Sequence, residues 1–297
     1  MIIRTSRQLK DKIANLSDGN SRRAQELIRN YMMERFLARL ANSEYRDHFI
    51  LKGGMLIASL VGMESRTTKD IDVSLTGYPL SIERMETLFR DVLCKTTDDG
   101  IQFHYVRCEQ IMEQHEYPGV RIHLEASLDQ LRQSISIDIS TGDEITPGAV
   151  DYSYKMMFDE ERILLRTYNF ETLLAEKMET ILSGDILNTR MRDFYDVYLL
   201  SNDYGHRLDR SVLKQALDNT TEARGTQRLL ETTECSTILE RIKNNVNMRN
   251  QWDNYVSRNP YVGNLNWADV VDSIDQIFQE TLTVSFEEKL DGPTLSM

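Results

Sequence analysis

The sequence predicts a mixed α/β (α+β) region up to about Tyr168 followed by a helical region, dividing the chain into 1–168 and 169–297. Three observations carry this. Several short segments before Tyr168 alternate apolar and polar residues, the period of a half-buried strand. After Tyr168 that alternation gives way to apolar residues at steps of three and four. The 297 residues, 40% apolar and 28% charged, also suffice for two ordinary globular domains.

In chain order, Ala24, Leu27, Ile28, Tyr31, Met32, Phe36 and Leu40 form one face of a helix that Ser21 would cap. The Met32-Met33 pair on it reads as core packing. A short strand, HFILK, meets Gly53-Gly54, and MLIASLVGM then reads as a helix. In DIDVSL, Ile71, Val73 and Leu75 point one way while Asp70, Asp72 and Ser74 point the other. IQFHYVR, VRIHLEASL, QSISIDIS and ILLRTY are further strands. Helices follow at Phe170–Leu182, Asp193–Leu200, Ser211–Leu217 and Ile238–Val246, with a last one marked by Trp267, Val270, Val271, Ile274, Ile277 and Phe278. The terminal EEKLDGPTLSM reads as a frayed tail.

Composition narrows the function. Lys and Arg number 35 against 47 Asp and Glu, a net charge of −12, so nucleic acid would be met only through a local basic patch or bridging cations. Arg22, Arg23 and Arg29, or Arg190 and Arg192, are candidates for such a patch. Three scattered cysteines form neither a disulfide framework nor a metal-ligand pattern. The N-terminus lacks a signal-peptide core, and Met55–Met63 is far shorter than the roughly 20 apolar residues of a membrane span. A cytoplasmic protein without membrane partners is expected. The five histidines show no zinc-hydrolase spacing, and neither a nucleophile elbow nor a Walker-type phosphate loop is present.

The stretch LKGGMLIASLVGMESRTTKDIDVSL is the most informative. Gly53-Gly54 lie where a strand becomes a helix, and the free N–H groups of a helix start receive phosphate, with glycine permitting close approach. Asp70 and Asp72, two apart on a strand, project from one face about 7 Å apart at Cα. That arrangement suits oxygen ligands of Mg²⁺, which takes carboxylates together with substrate phosphates. Asp138, the lone acid among the isoleucines of QSISIDIS, would complete a three-carboxylate cluster if its strand lay beside the first.

A second stretch runs from Asn169 to Leu200. Lys177 falls on the apolar face of its helix and must either snorkel to water or meet an anion, such as a triphosphate. Asp193, Asp196, Val197 and Leu200 share a face of the next helix, and Arg190 and Arg192 either clamp phosphates or pair with those acids. Trp252 and Tyr255, near Arg258, either fill the helical core or stack on a base.

Together, Leu51-Lys52-Gly53-Gly54, Arg66-Thr67, Asp70-Ile71-Asp72, Glu176-Lys177 and Arg192-Asp193-Phe194-Tyr195-Asp196 resemble the AbiEii/AbiGii toxin family of bacterial abortive-infection and type IV toxin–antitoxin systems. The resemblance runs from about Phe49 to Leu200. It implies a DNA polymerase β-like nucleotidyltransferase fold with a helical C-terminal domain. It also implies metal binding by Asp70, Asp72 and Asp138, and nucleotide binding by Lys52, Gly53, Gly54, Arg66, Lys177 and Arg192. Lys177 and Asp193 match the family's essential Lys and Asp. The wider superfamily carries Gly-Ser where this chain has Gly53-Gly54. The reaction so implied moves a nucleoside monophosphate from an NTP, with two Mg²⁺ ions, to an RNA 3′ hydroxyl, by expectation that of tRNA, and so blocks translation. A winged-helix antitoxin encoded alongside would be the genetic partner. Nucleotidylation of a protein hydroxyl and a catalytically silent nucleotide-binding regulator are the alternatives. Three clustered acids argue against the silent binder, which has no need of them.

Overall fold

The computed structural model describes residues 3–95, 97–111, 119–160 and 162–284; the expected frayed tail, 287–297, lies outside the described residues. The chain divides into a sheet-containing unit, Met1–Asn169, and a helical unit, Phe170–Met297.

The first unit begins with helices α1 (Ser6–Ser17) and α2 (Ser21–Ala41). Asn20, not Ser21, caps α2: its side chain accepts from the Arg23 N–H at 3.1 Å. The two residues are adjacent and chemically alike as caps, so only the backbone turn decides between them. Strand β1 (Phe49–Lys52) leads into helix α3 (Gly53–Val61), then β2 (Ile71–Leu75), helix α4 (Ile82–Cys94) and β3 (Gln102–Ile111). Strands β4 (Gly119–Leu128), β5 (Leu131–Ser140), β6 (Val150–Lys155) and β7 (Arg162–Thr167) complete one seven-stranded sheet of order β3-β4-β5-β2-β1-β7-β6. It is mixed: β1 runs antiparallel to β2 but parallel to β7, and β2 runs parallel to β5. Asp70 lies one residue ahead of β2, in a bend, rather than within the strand.

The alternation along each strand sets the two sheet faces. Ile71 and Val73 of β2, Ile135, Ile137 and Ile139 of β5, and Ile122 and Leu124 of β4 are buried on the core side. Helix α2 packs against β5 and β7 there, and from Tyr31 to Leu40 every residue of it is buried. Met32 and Met33, both wholly buried, are core residues. Helix α1, α4 and strand β6 are elements the sequence reading passed over. In α4 the signal exists, since Met85, Leu88, Phe89 and Val92 are buried at helical spacing. In α1 and β6 the signal is shorter: Leu9, Ile13 and Leu16 recur at helical steps, and Val150, Tyr152 and Tyr154 alternate with polar residues.

Glu34 of α2 is buried with its carboxylate accepting from the Met157 N–H (2.6 Å), the Asn30 amide (2.9 Å) and the Tyr154 hydroxyl (3.3 Å). Burial outweighs these bonds and Arg35, pushing its pKa up to about 7 from 4.5. The folded chain thus keeps a proton that the unfolded chain releases, and the stability this gives is full below the unfolded value and lost as pH rises through about 7. Between pH 5 and 8 the wild type should lose about 2–3 kcal/mol from this group. Urea melts of Glu34→Gln at the two pH values should lack that difference.

The second unit comprises α5 (Phe170–Gly184), α6 (Met191–Asp203), α7 (Arg210–Ala223), α8 (Thr232–Asn244), α9 (Val246–Arg258) and α10 (Trp267–Leu282). Its core is aromatic: Phe194 lies 5.0 Å and Trp252 5.8 Å from Trp267, centroid to centroid. Trp252 is wholly buried and its Nε1–H donates to the Leu265 carbonyl at 3.0 Å, so it fills the core rather than offering a stacking surface. Among the described residues no helix is long and apolar enough to cross a membrane.

Candidate active site

Strand pairing builds a row of charges across four strands. Arg121 of β4 faces Asp138 of β5, Asp138 faces Asp72 of β2, and Asp72 faces Lys52 of β1. In-register neighbours share a sheet face, so the row runs plus, minus, minus, plus on the side opposite the buried isoleucines. Asp138 thus lies directly beside the Asp72 strand.

The turn between β1 and α3 touches this row. Gly53 has φ +62°, and a Cβ there would sit 2.2 Å from Asp72 Oδ2. Only glycine satisfies both the left-handed backbone and the approach to the carboxylate. The Gly54 N–H, at the start of α3, points to Asp72 Oδ2 at 3.4 Å. A Cβ on Gly54 would lie 2.6 Å from Thr68 Oγ1 and 2.9 Å from Arg66 Nη2. The Thr68 hydroxyl therefore fills the space that a side chain at residue 54 would need. It also donates to Asp70 Oδ1 at 3.2 Å.

Electrostatics follow from this crowding. Burial, then repulsion by Asp70 and Asp138, pushes the Asp72 pKa up to about 6, with Lys52 and the Gly54 N–H opposing. Lys52 itself pairs with Asp143 at 2.9 Å. Burial works against the Asp143 carboxylate, but Lys52 and Ser140 outweigh it and hold its pKa below the ordinary range. Arg121 takes both oxygens of Asp138, Nε to Oδ1 and Nη2 to Oδ2, each at 2.6 Å.

These residues suit a hard cation in kind: oxygen ligands only, with mutual repulsion that a divalent ion would relieve. They do not yet enclose one. Among the described residues no three Asp, Glu, His or Cys side chains converge closely enough to hold a metal ion.

The other expected site residues fall elsewhere. Arg66 is 1% exposed and bonds the Thr67 carbonyl, which places its guanidinium beneath the Gly54 turn as a support. In the helical unit, Lys177 of α5 bonds Asp193 (2.6 Å) and Asp196 (2.8 Å) of α6, and the Asp196 side chain is completely buried. The anion that Lys177 meets is therefore its own neighbouring helix. Arg192 is half-exposed on the first turn of α6 and Arg190 is exposed ahead of it, and neither forms a described pair with those two acids. Sequence reasoning missed Arg121, Asp143 and the Lys177–Asp196 bond. Arg121 alternates with Val120 and Ile122 on the polar face of β4, but nothing in the sequence reveals which acid it faces.

A mixed sheet with a Gly-Gly turn abutting paired carboxylates, joined to a helical unit, is the framework of a nucleotidyltransferase. The family model for the nucleotidyl transferase AbiEii toxin of type IV toxin–antitoxin systems matches residues 35–280, and the chain belongs to that family. Solved structures are similar at low identity. One described as a nucleotidyltransferase from H. pylori has 15% identity and a TM-score of 0.47, over 87% of this chain and 95% of its own. JHP933 from Helicobacter pylori has 14% identity and a TM-score of 0.47, over 87% and 92%. A nucleotidyltransferase-like antigen from Paracoccidioides brasiliensis has 16% identity and a TM-score of 0.33, over 81% and 95%. No curated protein matches the chain.

Proposed function

We propose that this nucleotidyltransferase toxin moves a nucleoside monophosphate from an NTP to the 3′ hydroxyl of an RNA, with tRNA as the acceptor, and so halts translation. The observation that carries the reading is the contact of the Gly53 turn with Asp72, which brings a phosphate-receiving helix start against a pair of in-register acids.

In this reading the Gly53-Gly54 turn and the N–H groups opening α3 receive the triphosphate. Lys52, beside Asp72 in the row, offsets phosphate charge at that turn. Asp70, Asp72 and Asp138 would hold Mg²⁺, which supplies charge neutralisation at the attacking and leaving oxygens of an in-line displacement. The Thr68 hydroxyl, which donates to Asp70 Oδ1, would steady that carboxylate. Asp138 would favour deprotonation of the acceptor hydroxyl, chiefly by holding the metal that lowers its pKa. Arg66 stiffens the turn from behind. Lys177 and Asp193 act as a preassembled ion pair of the helical unit, and half-exposed Arg192 is the candidate for phosphate there. The partner antitoxin would be a winged-helix protein encoded alongside, acting on the toxin's effect or expression in the cytoplasm.

Sequencing RNA 3′ ends after brief expression, with Asp72→Asn as control, tests this. Extra nucleotides on tRNA ends in the wild type alone are expected. Unchanged tRNA ends, with label from the NTP on a protein band, would move the acceptor to a protein hydroxyl.

A further inference from the structure

Arg121 is the part of the charge row that neither the family's motifs nor the proposed mechanism uses. Its guanidinium satisfies both oxygens of Asp138 at 2.6 Å. Bidentate charge-assisted pairs of this kind are the strong ones. The pair is lopsided in exposure: the Arg121 side chain is 37% exposed and that of Asp138 is 16%. The arginine borders water, whereas the carboxylate lies on β5 between Arg121 and Asp72. The other acids felt by Arg121 are Asp70 and Glu109. Glu109 is already engaged, by His123 at 2.8 Å and Arg107 at 3.2 Å. Without Arg121, Asp138 would add an uncompensated charge beside Asp72.

We propose that Arg121 is a latch on Asp138: it occupies the carboxylate while the site holds no cation and must release it before a divalent ion can take Asp138 as a ligand. This rests on the metal-dependent reading above and adds a positioning residue to it. In the exchange a divalent ion would replace the singly charged guanidinium at Asp138, adding one positive charge beside Asp70 and Asp72, and the guanidinium would be released to water. It explains why the three acids, brought to one end of the sheet by β2 and β5, do not converge on a common point among the described residues. It also makes the latch a threshold, since binding of a lone ion must first break two short hydrogen bonds.

The test uses the full chain without nucleotide, with Mn²⁺ as the probe and free Mn²⁺ read by electron paramagnetic resonance. Arg121→Gln should bind Mn²⁺ about tenfold more tightly than the wild type, the scale of a hydrogen-bonded charged pair. Arg121→Lys, which keeps the charge but loses the fork, should show a smaller gain in the same direction. The gain should vanish in Arg121→Gln/Asp138→Asn, because the freed carboxylate is its source. Equal or weaker binding by Arg121→Gln and Arg121→Lys, with Asp72→Asn still abolishing Mn²⁺ binding, overturns the latch alone. Mn²⁺ binding that survives Asp72→Asn in every background overturns the metal-dependent reading, and the latch with it.

Discussion

Replacing Asp72 by Asn should lower nucleotidyl transfer by on the order of a thousandfold or more while leaving the ion-free protein as stable as the wild type or more so. The two effects have one cause. Asp72 lies partly buried, directly beside Asp138 and two residues from Asp70, and its pKa is pushed up to about 6 by burial and by those acids. At neutral pH it is mostly ionised against that gradient, so neutralising it should raise stability by about 1–2 kcal/mol. Asparagine keeps an oxygen for the Gly54 N–H and nearly the same volume, so packing is unchanged. Thermal melts in chelator, beside transfer assays with labelled NTP, separate the outcomes. A large loss of stability with transfer retained would make Asp72 a structural residue and sink the site assignment.

Lys177→Met should behave in the opposite way, unfolding at lower urea by an amount equivalent to about 3–5 kcal/mol. Sequence alone leaves Lys177 as a cation on an apolar face in need of an anion. The structure supplies two, Asp193 and the fully buried Asp196. Methionine preserves the packing of the stem but strands both carboxylates in a poorly hydrated place. Breaking one partner of a buried pair is strongly destabilising even where the pair itself adds little. Adding Asp196→Asn to Lys177→Met should restore part of the loss, because the two changes touch one network. If Lys177→Met melts like the wild type yet loses NTP affinity, the lysine's charge serves a ligand and not the α5–α6 contact.

How far the sequence reaches is clear from particular elements. The α2 helix, the β1–Gly-Gly–α3 unit and the strands bearing Asp72 and Asp138 were legible because each depends on a local period and on glycine at a tight turn. Both Asp72 and Asp138 were readable as acids on polar strand faces for the same reason. The β6 strand was passed over although Val150, Tyr152 and Tyr154 alternate with Asp151, Ser153 and Lys155; the segment is short and exposed at four of its six positions, with only Tyr154 buried.

What the sequence determined by itself was therefore the class of each unit, the Gly53-Gly54 turn and the acids worth watching: all are properties of residues within a few positions of one another. What only the tertiary structure decided was partnership. That Asp138 stands opposite Asp72 on one side and Arg121 on the other depends on strand order and register. That Lys177 is answered by Asp196 depends on how α5 meets α6. Charges act through distance in space, and the separation along the sequence, 66 positions from Asp72 to Asp138, carries no information about it until the strands pair.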